Sequence, residues 1–208
     1  RYDSKGRQSD SFQTGCRAPE INHQQEAEPA MTNIRFNNRH GVLAPDKSLR
    51  IQRRLPGPIE RVWSYLTESD LRRQWLASGT MPLHPGASFE LVWRNDELSS
   101  SAAERPEGFA AESRATCQLL EVDPPRRMRY IWPDVGEVTL ELEADGADVL
   151  LTLTHRQLVG ERLILNVSAG WHAHLALLVA RLDNADAPSL WATWKQVRAE
   201  YEALSCAS

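Results

Sequence analysis

The chain has 208 residues, 24 Lys and Arg against 28 Asp and Glu, and a formal charge of −4. Apolar residues make up 41%, which suits one globular domain with a sizeable core. The acidic balance argues against non-specific nucleic-acid binding, which needs concentrated Lys and Arg. The longest apolar stretch, at residues 175–179, falls far short of the roughly 18 residues of a membrane span. Seven tryptophans outnumber the four tyrosines and the four phenylalanines.

Residues 1–30 are polar and show neither helical nor strand periodicity, so they bury too little apolar surface to offset ordering entropy. Met31 opens a more ordinary N-terminus and is read as the native start. Residues 1–44 are expected to form a polar leader, and residues 45–208 a single domain with a helical extension. The three cysteines, Cys16, Cys117 and Cys206, have no C-x-x-C spacing, and their usage fits a reducing, cytoplasmic compartment. Cys117 lies in a strand-like run and reads as a small buried hydrophobe.

A first strand is expected over 48–56, where Leu49, Ile51 and Arg53 alternate with Arg50, Gln52 and Arg54. Pro58 then opens a short helix, its missing N–H harmless in the first turn. A second short helix, capped by Thr67 or Ser69, carries Leu71, Trp75 and Leu76 and ends at Gly79. A strand meander follows. Phe89, Leu91 and Trp93 share a face by period-2 alternation. Residues 95–108 read as a long loop, and 111–122 as the next strand. Met128, Tyr130 and Trp132 share one face of another strand. Asp145-Gly146 marks a hairpin between strands carrying Val138, Leu140 and Leu142 and then Val149, Leu151, Leu153 and His155. From 168 to 184 the period changes to about 3.6, placing Trp171, Leu175, Leu178 and Leu182 on one helical face. A terminal helix over 190–204 carries Trp191, Trp194, Val197 and Tyr201, as a cap or a homodimer contact. The Arg pairs at 53–54, 72–73 and 126–127 read as solvated faces balanced by nearby acids, and Arg94 and Glu112 as a solvated strand face.

Several motifs, each present once, follow one another along the chain. They are P-x-x-R-V-W at 58–63, P-G-x-x-F at 85–89, E-V-D-P-P-R-R-M at 121–128, Y-I-W at 130–132, L-T-L-T-H at 151–155 and G-W-H-x-H-L at 170–175. Together they resemble the bacterial branch of the START and birch-pollen-allergen (SRPBCC) superfamily, homologous to the activator of the ninety-kilodalton heat-shock protein ATPase. The resemblance spans residues 47–204. It implies an α+β helix-grip fold, a curved antiparallel sheet wrapped around a long C-terminal helix with a cavity between them. Members bind lipids, steroids and polyketides; a few catalyse cyclisation or hydration, and the eukaryotic activator binds a chaperone. Cys117 and Ala87 stand where the family often has Gly, which would narrow such a pocket.

The candidate cavity is lined by Trp75, Phe89, Leu91, Trp93, Tyr130, Trp132, Leu140, Leu151, Leu153, His155, Trp171, Leu175 and Leu178. A mostly apolar lining with a few polar anchors is what small-molecule sites use. Tyr130 and His155 are the expected anchors. His172 and His174, two apart on a helix, point some 200° from each other and cannot share a metal. No nucleophile elbow, phosphate loop or calcium loop is present, and neither a metal nor a cofactor is expected. The leading expectation is a binding protein for a small apolar molecule. The alternatives are a cyclase or hydrolase using a cavity His or Tyr, and a co-chaperone that stimulates a heat-shock ATPase.

Overall fold

The computed structural model describes Asn33 and residues 35–206. Cys16, Met31 and most of the expected leader lie outside the described residues. Seven strands form one antiparallel sheet: β1 (Val42–Leu43), β2 (Leu49–Pro56), β3 (Ser88–Trp93), β4 (Ser113–Asp123), β5 (Arg127–Trp132), β6 (Gly136–Asp145) and β7 (Asp148–Arg156). Their order is β1-β2-β7-β6-β5-β4-β3, a five-strand meander whose last strand pairs with β2. Two short helices, α1 (Ile59–Thr67) and α2 (Ser69–Arg72), join β2 to β3. The long helix α3 (Glu161–Leu182) follows the sheet, and α4 (Leu190–Cys206) closes the chain. This is the expected helix-grip architecture.

Alternation sets the inner face of the sheet, and register aligns it into rows. Ile51 pairs with Leu153, Leu153 with Leu140, and Leu140 with Met128, so one apolar row crosses four strands. The next row runs Leu49, His155, Val138, Tyr130 and Leu119. All nine side chains are buried. Leu175 and Leu178 of α3, both fully buried, complete this layer from above. α3 is long and apolar enough to cross a membrane, but most of that length is buried inside the fold, as in the core helix of a globular protein.

Two elements and two arginines depart from expectation. α3 begins two turns before residue 168, directly after Gly160. α2 ends at Arg72, so Trp75 and Leu76 lie on the turn that follows rather than on a helix. That turn is organised by Arg72, which is 1% exposed, not solvated. Its guanidinium donates to the carbonyls of Thr67 at 2.8 Å, Ala77 at 3.2 Å, Leu66 at 3.4 Å, and Gly79. A buried cation persists only where its N–H groups are taken up in this way. Arg53 is likewise inside, 1% exposed, donating to the carbonyls of Arg39 and Gln52. It falls on the inward parity of β2, and two of its nitrogens have no partner. Charge alone pointed both arginines outward; strand parity and the turn's carbonyls draw them in.

Gly79 is required where it stands. Its φ is +125°, and a Cβ there would sit 1.9 Å from the Glu90 carbonyl oxygen. The close approach lets Ser78 bridge to Val92 of β3 in both directions, at 3.1 and 3.0 Å. Residues ahead of position 45 are also docked. Asn37 brackets the Arg54 backbone through both ends of its amide, His40 pairs with Glu200 at 2.7 Å, and the Gly41 N–H reaches the Tyr201 hydroxyl.

Candidate functional site

The space between sheet and α3 is not uniform. Under β2, β7 and β6 it is filled. Toward β3–β5 it opens into a cavity of about 340 Å³, within the range of roughly 300–1,000 Å³ common to small-molecule sites. Three regions wall it. The sheet contributes Trp93, Trp132 and Ser113–Ala115 at the ends of β3, β5 and β4. One face of α3 supplies Leu163, Asn166, Val167, Gly170, Trp171 and His174. These stand at i, i+3, i+4, i+7, i+8 and i+11, a single helical stripe. The third wall is Leu190, Trp191 and Trp194 of α4, with Phe109 from the long β3–β4 connection.

Five of the seven tryptophans therefore meet at one site. Trp93 and Trp132 stack with centroids 4.9 Å apart and planes 14° from parallel. Trp171 stands edge-on to Trp132 at 6.4 Å. Trp191 and Trp194 are perpendicular to each other, and Phe109 packs against both. Three of these indole N–H groups are tied into the scaffold. Trp171 donates to His155 Nδ1 at 2.9 Å, Trp191 to Asp96 Oδ1 at 2.8 Å, and Trp194 to the Asn166 carbonyl at 3.3 Å. The β3–β4 connection is held to α4 by Ser99, Ser189 and Glu104 as well.

Gly170 sits in the middle of α3, where Gly costs about 1 kcal/mol relative to Ala. A Cβ built on it would meet no atom within 4 Å. The residue lines the cavity, so its missing side chain is part of the empty volume. Arg114, the charged residue in the lining, is already paired with Glu112 and Glu90 at 2.8 and 2.9 Å.

The histidines divide by role. His155 is fully buried one layer behind Trp132 and Trp171 and does not line the cavity. Its Nδ1 lone pair is occupied by the Trp171 indole, and burial lowers its pKa to about 4. His174 does line the cavity. Its Nδ1 lies 2.7 Å from the Trp75 carbonyl, and burial lowers its pKa to about 4. His172 faces away, toward His40 and Tyr201, with its pKa depressed to about 3 by burial and by the Arg53 charge. Among the described residues no three His, Cys, Asp or Glu side chains come together as metal ligands.

Of the thirteen residues expected at the site, Trp93, Trp132 and Trp171 line the cavity. Phe89, Leu91, Tyr130, Leu140, Leu151, Leu153, Leu175 and Leu178 are buried in the packed layer beside it. Trp75 is fully buried, its indole donating to the Tyr65 carbonyl. The expected anchors, Tyr130 and His155, are thus not lining residues. Cys117 and Ala87 are buried in the core and likewise take no part in the lining; burial pushes the Cys117 thiol up to about 12. The α4 wall and Phe109 had no signal in periodicity, because tertiary packing alone brings them here. The Gly170 stripe was readable, but only for a helix that starts at Glu161.

Comparison with known proteins places this architecture. Residues 56–183 match the family described as Activator of Hsp90 ATPase homolog 1-like protein. A protein from Bordetella parapertussis, solved in solution by NMR, is similar at 38% identity with a TM-score of 0.66, covering 80% of this chain and 91% of its own. CalU16 from Micromonospora echinospora shares the fold at 23% identity and a TM-score of 0.55, covering 79% and 94%. DynU16, described as belonging to the dynemicin biosynthetic locus, shares it at 21% and 0.52, covering 67% and 48%. Among curated proteins none matches. With more than half of its length matched by the family, and a relative 38% identical over 80% of it, this chain belongs to the Activator of Hsp90 ATPase homolog 1-like family.

Proposed function

We propose that this protein binds a small, largely apolar molecule in the tryptophan-lined cavity. The observation that carries this reading is Gly170. A mid-helix glycine whose Cβ would enter open space keeps volume at a local cost in helix stability. A packed core would fill that volume, since interiors are close-packed and voids cost contacts. The surrounding indoles supply large apolar faces, and burial of ligand surface against them contributes roughly 25 cal/mol per Å².

The cyclase or hydrolase reading has less support. His155 and Tyr130 are not at the cavity wall, and His174, the histidine in the wall, is held by burial at a pKa of about 4, too weak a base to take a proton readily at pH 7.

The test is a native mass-spectrometric screen of lipids and fused-ring aromatics, paired with Gly170→Phe. The Phe ring occupies the space in which a ligand would sit. Wild type is expected to retain at least one class of compound that the variant, folded by near-UV circular dichroism, does not. Equal retention by both, or none by wild type, rejects the reading.

A further inference from the structure

We infer that His174 is the specificity-determining anchor of this cavity, and that the ligand it selects is a neutral aromatic carrying a hydroxyl group. The inference rests on the binding role just proposed and deepens it.

The Trp75 carbonyl can only accept, so the contact at 2.7 Å requires the ring proton on Nδ1 of His174. Nε2 then carries the lone pair. Nothing among the described residues bonds to Nε2. His174 is 7% exposed and belongs to the cavity lining, so Nε2 is the ring's acceptor for whatever enters. The tautomer is held from behind by backbone, and the depressed pKa keeps the ring neutral at pH 7.

A ligand hydroxyl satisfies that lone pair. A plain hydrocarbon leaves it unmatched. A carboxylate sets negative charge against it, with Arg114 already engaged by two glutamates. The stacked pair Trp93 and Trp132 and the edge-on Trp171 favour a flat ring system, because aromatic rings meet best in offset-stacked or edge-to-face arrangements. His155 makes the contrast. Its lone pair faces an indole N–H of the protein's own and it does not line the cavity, so it presents no acceptor to a ligand there.

Three matched compounds test this: 2-naphthol, naphthalene and 2-naphthoate, titrated by tryptophan fluorescence against the full chain. Wild type is expected to bind 2-naphthol about tenfold more tightly than naphthalene, the value of one buried hydrogen bond, and 2-naphthoate more weakly than either. His174→Asn keeps an N–H within reach of the Trp75 carbonyl but stops short of the Nε2 position. It should erase the preference for naphthol and leave naphthalene affinity within about twofold. The second measurement needs no variant. The imidazole Nε2 resonance of His174 in ¹⁵N-labelled wild type should shift with 2-naphthol and not with naphthalene. If naphthalene binds as tightly as 2-naphthol, or the Nε2 resonance is indifferent to both, the anchor role is wrong while the cavity reading stands. If none of the three binds, the cavity reading itself fails for flat aromatics.

Discussion

The two halves of the space beneath the sheet are built from similar residues and come out opposite. Under β2, β7 and β6, each inward residue meets another: Leu151, Leu153, Leu140, Leu175 and Leu178 are all 5% exposed or less. Toward β3–β5, the walls are larger side chains, yet a cavity of about 340 Å³ remains. The difference lies in shape more than in hydrophobicity. Branched aliphatics pack into one another, whereas rigid indoles, held by hydrogen bonds to Asp96, Asn166 and His155, stand as walls around a helix position that has no side chain. The same contrast separates the histidines. Each is bonded at Nδ1, His155 by the Trp171 indole and His174 by the Trp75 carbonyl; His155 stands in the packed layer, whereas His174 stands in the cavity wall.

Substitutions can break or sharpen this contrast. In the packed half, Leu151→Ala should cost about 2–5 kcal/mol by urea unfolding, through lost burial and a residual void. In the hollow half, Val167→Ala should cost under about 1 kcal/mol, because its neighbours on the cavity side are already absent; equal losses at both sites would mean that the two halves pack alike.

Acid should act on the packed half and the cavity wall together. His155, His172 and His174 all have folded-state pKa values, about 4, 3 and 4, below the ordinary 6.5. The unfolded chain then binds more protons between pH 6.5 and 4, so stability is complete above 6.5 and lost on descent. Each histidine contributes up to about 1.4 kcal/mol per pH unit in that window. Urea midpoints should be flat from pH 8 to 7 and fall steeply from 6.5 to 5. A flat profile down to pH 5 would show the rings to be better solvated than they stand here.

The smallest effect has the opposite sign. Gly170→Ala should raise stability by about 0.5–1 kcal/mol in a thermal melt, since its Cβ enters open space. Destabilisation there would mean that the helix is packed at that point.

Much of this was legible in the sequence. Alternation located six of the seven strands and the inward parity of Leu140, Leu151, Leu153 and His155. Motif order indicated the helix-grip fold. Parity says which residues face inward; it does not say whether they meet atoms or space. That depends on how the 95–112 connection and α4 close the open end. The Trp191 and Trp194 side chains therefore looked like features of an appended helix and proved to be cavity wall. Arg53 and Arg72 misled for a related reason: the carbonyls that hold them come together only in the folded chain.

The seven tryptophans make the central claim directly measurable. Trp93, Trp132, Trp171, Trp191 and Trp194 line the cavity, while Trp63 and Trp75 do not. In a ¹H–¹⁵N spectrum of the indole N–H groups, titration with 2-naphthol should move signals of the five and leave those of Trp63 and Trp75 in place. Unmoved indoles throughout, or shifts confined to Trp63 and Trp75, would contradict a ligand site between the sheet, α3 and α4.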